Sequence, residues 1–495
     1  MNYYLGLDIG SSSIKAALVE VESGKSIGVV QEPKEEMGMF AAKNGWAEQS
    51  PNDWWKHICA AIAHLKKKYN VSKTQIKGVG ISYQMHGLVV VDKDGNPLRK
   101  SIIWCDSRAV DIGNKAFSDL GEQSCASQLL NSPANFTASK LKWVKDNEPD
   151  LFSKIHKFML PGDYIAYKFS NQINTTISGL SEGIFWDFEK DDIAEFLLAH
   201  YGIDKALVPD IVETFGIQST VDKNGEAESG LAAGTPILYR AGDQPNNALS
   251  LNVFNPGEVA ATGGTSGVVY AVTDSLSAKE SSRVNNFAHV NYQKGADPRI
   301  GKLLCVNGAG IQYRWLLNNL AVSTYEEMND LASEIPVGSD GVCLIPFGNG
   351  AERMLNSKEI GTRIVNMNLN NHHKGHLCRA ALEGIAFSFV YGMEIMTSDG
   401  IKPSVIRAGN DNLFRSEIFA NTVATLIAQE IEIYNTTGAI GAARAANLHK
   451  GDFEAFSKVI MDNDHVMTFK PLKDKKTYLE AYNNWKKELE LIINT

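Results

Sequence analysis

Asp8 and Asp243 each close an apolar run, and each is followed by a turn built from glycine, serine and threonine. After Asp8 comes Gly10-Ser11-Ser12-Ser13, then Ile14-Lys15. After Asp243 comes Thr262-Gly263-Gly264-Thr265-Ser266-Gly267, about half of the 495-residue chain beyond the first turn. Small residues let backbone N–H groups approach phosphate oxygens, and hydroxyl or ammonium groups add donors. Gly10, Ser11, Ser12 and Lys15 offer this in the first turn, and Gly263, Gly264, Thr265 and Ser266 in the second. A carboxylate beside such a turn can hold Mg²⁺, largely through water because that ion keeps much of its hydration shell. Asp8 is placed for this, and Asp243 can share the ion. A carboxylate at a strand end can also accept the proton of an attacking hydroxyl in phosphoryl transfer, and Asp243 is the candidate base. One glycine turn, or one Gly-Asp pair, is most often only a turn. Two of them half a chain apart predict a nucleotide held between similar halves.

Neither turn leads into a helix, so neither is a GxxxxGK[ST] nor a GxGxxG phosphate loop. Alternating apolar residues predict strands over 3–9 and 14–21 around the first turn and another over 27–31, an antiparallel meander. Ser50-Pro51-Asn52-Asp53 opens a helix, with Ser50 as N-cap and Pro51 in the first turn. Trp54, Ile58, Ala61, Ile62 and Leu65 give it one apolar face, and Lys66, Lys67 and Lys68 suit its C-terminal end. Buried strands are expected at 76–81, 89–91 and 236–241, and helices at 374–397 and 438–447. Residues 110–235 read as mostly helical and loop-like. This order predicts an α/β fold. No low-complexity linker separates residues 1–244 from 245–495, so two domains should pack about a cleft.

A chain of this length exceeds one ordinary core, and its 44% hydrophobic and 21% charged residues are those of a soluble protein. The net charge of −9 leaves no basic surplus for nucleic acid or an anionic membrane. No run of 18 apolar residues occurs, and the first strand leaves no room for a signal peptide. Six cysteines without a CxxC spacing fit a reducing cytoplasm. Trp46, Trp54, Trp55 and Trp143 read as packing residues. Asp106 either pairs structurally with Arg108 or belongs to a site.

Further stretches resemble the FGGY carbohydrate kinases of the actin-like ATPase superfamily, and within them the branch that acts on xylulose. They are the two phosphate turns, Ser82-Tyr83-Gln84-Met85-His86-Gly87, Trp104-Cys105-Asp106-Ser107-Arg108, Asn135-Phe136-Thr137-Ala138-Ser139-Lys140-Leu141, Leu160-Pro161-Gly162-Asp163-Tyr164 and Gly242-Asp243. The resemblance spans nearly the whole chain. It implies two ribonuclease H-like domains, the N-terminal one for sugar and the C-terminal one for ATP. It also implies transfer of the γ-phosphoryl group of ATP, with Mg²⁺, to the 5-hydroxyl of D-xylulose. Met85, His86, Trp104 and Asp243 would meet the sugar. Gly264, Thr265, Gly310, Gly409 and Asn410 would meet ATP together with the first turn. The resemblance leaves a homodimer open. Four departures stand out: Tyr83 replaces a usual glycine, and Ala408-Gly409-Asn410-Asp411 replaces a glycine-rich turn beside adenine. Residues 176–181 lack an aspartate, and Gln-Pro-Asn-Asn follows Asp243. Ribulose, fuculose, rhamnulose or glycerol are alternative acceptors, and a filament-forming or chaperone-type ATPase is the alternative of another class.

Overall fold

The structure, a computed structural model, describes residues 1–494, Lys450 through its backbone alone. Two large sheets carry the fold. The first contains β1 (Tyr3–Ile9), β2 (Ile14–Glu20), β3 (Ser26–Glu32), β4 (Ile76–Tyr83), β5 (Phe215–Thr220) and β6 (Pro236–Gly242), ordered β5-β6-β4-β1-β2-β3. The second contains β7 (Glu258–Gly263), β8 (Gly267–Thr273), β9 (Asn285–Ala288), β10 (Ile300–Val306), β11 (Val405–Gly409), β12 (Ile431–Tyr434) and β13 (His465–Phe469), ordered β9-β10-β8-β7-β11-β12-β13. A repeat is visible in the pairing. β1 and β2 form an antiparallel hairpin, β3 adds antiparallel to β2, and β4 and β6 add parallel beyond β1. β7, β8, β10, β11 and β12 repeat that pattern.

Helix α1 (Pro51–Tyr69) covers one face of the first sheet, burying Trp54, Ile58, Ile62 and Leu65 in a core shared with Leu5, Leu7 and Leu18. Ser50 has extended backbone but makes no side-chain cap bond; the Asp53 N–H donates to the Ser50 carbonyl at 3.1 Å instead. Helix α2 (Asp243–Ser250) follows β6, α3 (Gly310–Asn319) follows β10, and α4 (Lys374–Ser398) is the long core helix of the second half. Helix α5 (Gly438–Ala445) follows β12 as α2 follows β6.

The placement of α5 departs from a simple two-halves picture. It lies on the first sheet, although its residues follow a strand of the second. It also crosses α2, which itself touches β7 and β8. Where they meet, the Asn246 side-chain amide donates to the Gly438 carbonyl at 3.0 Å. The two halves are therefore pinned at their centre by one helix from each. Residues 110–235 are largely helical, as expected, but they also supply β5, an edge strand paired to β6. Its alternation is masked by Gly216 and by Ile217, which is 72% exposed. All six cysteines are free, and no helix among the described residues is long and apolar enough to cross a membrane.

Candidate active site

Three neighbouring parallel strands, β1, β4 and β6, end at one edge of the first sheet. Their register sets Asp8 beside Ser82, and Tyr83 beside Gly242. In open α/β sheets the carboxyl ends of parallel strands form the binding crevice, because the chain there leaves the sheet in divergent directions. Asp8 accepts a hydrogen bond from the Ser82 hydroxyl at 3.0 Å and faces Lys15 across the hairpin. Burial pushes the Asp8 carboxyl up, while Lys15 and Ser82 pull it down. Asp243 begins α2. Burial, then the charges of Asp8 and Glu182, push its carboxyl up to about 8. Asp243 in turn raises the Cys305 thiol of β10, after burial and the effects of Arg353 and Glu352, so it faces the second half. Two carboxylates that repel each other in a protein-enclosed corner fit a hydrated Mg²⁺ as their missing countercharge. No group of three or more His, Cys, Asp or Glu converges as a metal cage among the described residues.

On the sugar side, Met85 packs at the start of α2: a Cβ on Gly242 would stand 2.5 Å from its Cγ. His86 has a positive φ of 61° and is held by Glu182, whose Oε2 accepts the His86 backbone N–H at 2.8 Å. Tyr83 does not enter the cleft. It is fully buried, with its ring against Gly162, where a Cβ would come within 2.1 Å of Cδ1. Trp104 is 51% exposed and its indole N–H reaches the Ser11 hydroxyl at 3.4 Å, above the first phosphate turn. Asp106 is structural: it pairs with Arg108 at 2.7 Å and accepts the Ala47 N–H at 2.6 Å. The Arg108 guanidinium lies 3.8 Å from the Trp46 ring and 4.8 Å from the Trp143 ring, so both tryptophans are packing residues.

The first turn is braced by Gln49, whose amide donates to the Ser11 carbonyl at 2.6 Å, and by the Gly10 N–H to the Ser13 carbonyl at 3.1 Å. Ser12 is exposed at its tip. The second turn is braced by α3: the Gly310 N–H donates to the Gly264 carbonyl and the Ile311 N–H to the Thr265 carbonyl, both at 3.0 Å. Gly310 is therefore a support of the turn. A Cβ there would stand 2.3 Å from the Gly264 oxygen. Gly263, Gly264, Thr265 and Gly310 open into a cavity of about 790 Å³ lined further by Tyr313, Tyr325, Asn329, Asn412 and Ser416. Tyr313 and Tyr325 stack at 5.5 Å. Gly409 and Asn410 sit at the end of β11 and do not line this cavity, although Arg415, which does, donates to the Asn410 carbonyl at 3.2 Å. Lys15 of the first half bears electrostatically on Asp411 of the second, after burial and Arg415, so the two phosphate turns approach one another.

Glu352 ties the turn before α3 in place. It is buried and accepts the Asn307 N–H at 2.9 Å; burial pushes its carboxyl up to about 7. The native state then holds this proton to about pH 7, whereas an unfolded glutamate releases it near 4.5. Its contribution to stability therefore falls as pH rises through that window. Glu352→Gln keeps an acceptor for Asn307 and should flatten the fall. Melting temperatures of both proteins at pH 5 and pH 8 test this, and an unchanged difference between them would refute it.

Glu182, Gln49, Tyr313 and Tyr325 were not legible as site residues from spacing. Glu182 ends a short helix with no motif of its own, and the tyrosines meet only through tertiary packing.

The N-terminal domain model of the FGGY family of carbohydrate kinases matches residues 3–250, and the C-terminal domain model matches 259–449. The chain is 28% identical over 499 residues to a xylulose kinase of Haemophilus influenzae, covering 97% of this chain and 98% of that one. The xylulose kinase of Rhodospirillum rubrum superposes with a TM-score of 0.88 at 23% identity, covering all of both chains. A gluconate kinase from Lactobacillus acidophilus superposes with a TM-score of 0.87 at 20% identity over 99% of this chain and 98% of that one. With both domain models matched in order, the chain belongs to the FGGY family of carbohydrate kinases and is an ATP-dependent sugar kinase.

Proposed function

We propose that the chain transfers the γ-phosphoryl group of ATP to the 5-hydroxyl of D-xylulose, with Asp243 as the base. What supports this reading is the place of Asp243 at the first residue of α2, directly after β6 and at the strand end where Asp8 lies, with its carboxyl raised by burial and by the charge of Asp8. A base near neutrality can take a hydroxyl proton as the phosphoryl group arrives, and the remaining work is alignment and charge compensation. ATP lies with its phosphates between the Gly10–Ser12 and Gly264–Thr265 turns, Gly310 and Lys15 beside them, and its base in the cavity by Tyr313, Gly409 and Asn410 flanking. Asp8 and Asp243 hold Mg²⁺ through water, and the ion supplies charge neutralisation at the phosphates. Residues 1–244 and 245–495 act as the sugar and nucleotide halves. The enzyme works in the cytoplasm, and a homodimer is measurable by sedimentation.

The acceptor is neutral on this reading. Asp8 and Glu182 bear electrostatically on Asp243 at the sugar end, where Lys140 and Arg240 are already engaged. The Lys140 ammonium donates to the His86 and Ile103 carbonyls at 2.8 and 3.1 Å, and Arg240 pairs with Asp163 at 2.9 Å. A sugar acid would bring a further carboxylate near Asp8 and Glu182, with neither Lys140 nor Arg240 free to pair with it. ADP release measured with D-xylulose, D-ribulose, L-fuculose, L-rhamnulose, glycerol and D-gluconate should give the highest kcat/KM for D-xylulose and the lowest for D-gluconate. Preference for gluconate would overturn the charge argument; preference for another neutral acceptor would move the substrate and keep it.

A further inference from the structure

We propose that Glu182 is a positioning residue for acceptor recognition, fixing the His86 ring so that Nε2 receives a hydrogen bond from a substrate hydroxyl. This deepens the reading of His86 as a sugar contact and rests on it. His86 Nδ1 lies 2.9 Å from the Glu182 carbonyl oxygen and 3.2 Å from Glu182 Oε2. Both atoms can only accept, so Nδ1 carries the ring proton. In the neutral ring Nε2 is then a lone pair. The other edges of the ring are closed. Phe136 stands edge-on at 4.8 Å and Phe287 of β9 lies at 5.3 Å, leaving the side chain 16% exposed. Among the described residues Nε2 meets no hydrogen-bond partner, so it is the free polar atom of this ring.

Glu182 is itself held for the task. It is buried at the end of the short helix Ile177–Glu182, its Oε2 also takes the His86 backbone N–H, and that bond fixes the left-handed backbone of His86. Its Oε1 is buried and, among the described residues, makes no bond of good geometry, although the Tyr83 hydroxyl bears on the carboxylate. The Lys140 ammonium meanwhile holds the His86 carbonyl from the other side at 2.8 Å. The ring is thus clamped through its backbone and through Nδ1. An acceptor at Nε2 selects a hydroxyl over a carbonyl at that point of the substrate, because a carbonyl offers no proton.

The test combines spectroscopy with a mutant cycle on the full chain. Long-range ¹⁵N–¹H correlation on histidine-labelled protein should show His86 protonated at Nδ1 without any ligand. Glu182→Ala should raise KM for D-xylulose by roughly 10- to 100-fold, the loss of a bond to a charged group, and leave KM for ATP unchanged. Glu182→Gln, which still accepts the backbone N–H, should recover most of it. In a His86→Ala background the Glu182→Ala effect on D-xylulose KM should largely vanish. Protonation at Nε2 in the wild type, or an equal Glu182→Ala penalty in both backgrounds, overturns the proposal. If D-xylulose is not phosphorylated at all, the substrate assignment fails, while the His86 spectrum of Glu182→Ala set against the wild type still decides the role of the Glu182 side chain: an unchanged spectrum overturns it.

Discussion

Asp243→Asn lowers turnover by about 10²–10⁴-fold, the range general base catalysis supplies, while KM for sugar and ATP changes far less. The amide keeps the size of the side chain and its place at the start of α2, but it cannot take the hydroxyl proton. The same substitution should abolish the rising, acid-side limb of the wild-type profile. Because burial, Asp8 and Glu182 raise the Asp243 carboxyl to about 8, the free enzyme is mostly protonated at pH 7. The kcat/KM for the acceptor then climbs with pH on the acid side of the profile, because Asp243 must lose its proton to act as the base. Stability runs the other way. An unfolded aspartate ionises near 3.8, so the native state binds the extra proton between 3.8 and about 8, and Asp243 costs stability as pH rises through that window. Ligand-free Asp243→Asn should therefore melt higher than wild type at pH 8.5. Steady-state kinetics from pH 6 to 9 and calorimetry without ligands check both halves. Full turnover in the variant would place the base elsewhere.

Much of the fold was legible because its signals are local. Alternation around Gly10 marked β1–β2 and the apolar run before Asp243 marked β6, each within a residue or two, and the strands flanking Gly263 are β7 and β8. Helix α4 was expected over 374–397 and spans Lys374–Ser398, since its apolar residues recur at helical spacing. What escaped was set by distant partners. Nothing local tells that α5, eight residues of which six are Gly or Ala, seats on β1 and β4 of the other half. Glu182 carries no pattern either; its meaning comes from His86, 96 positions away. Tyr83, a departure from the family turn, proved to fill the space over Gly162 and Gly179, away from the cleft.

Gly80→Ala should be among the most damaging single-atom additions in the chain. Gly6 and Gly80 are paired in register on β1 and β4, and both present bare backbone to α5. A Cβ at Gly80 would lie 1.8 Å from the Ala442 carbonyl oxygen, and one at Gly6 would lie 1.9 Å from that of Ala439. The obstacle is main chain, so no rotamer change relieves it, and the helix must lift from the sheet. Lifting opens the small core where Ala439, Ile440, Ala443 and Ala446 meet Tyr4, Ala17, Val19 and Leu238. Overpacking of yielding cores costs about 1–3 kcal/mol, and an unyielding contact of this kind should reach or pass the upper end. Activity should fall with stability. The first residue of α5, Gly438, is so close to Asp8 that a Cβ there would sit 2.8 Å from Oδ2, and moving the helix moves the wall of the site. Gly78→Ala is the control, because its added Cβ meets the Leu238 side chain at 2.4 Å, and that side chain can turn away. Urea unfolding should show Gly78→Ala clearly milder than Gly80→Ala. Trimming the helix with Ala442→Gly should not rescue Gly80→Ala, since the carbonyl that blocks the new methyl group remains; a rescue would mean that side chains, and not the backbone of α5, set the distance between helix and sheet.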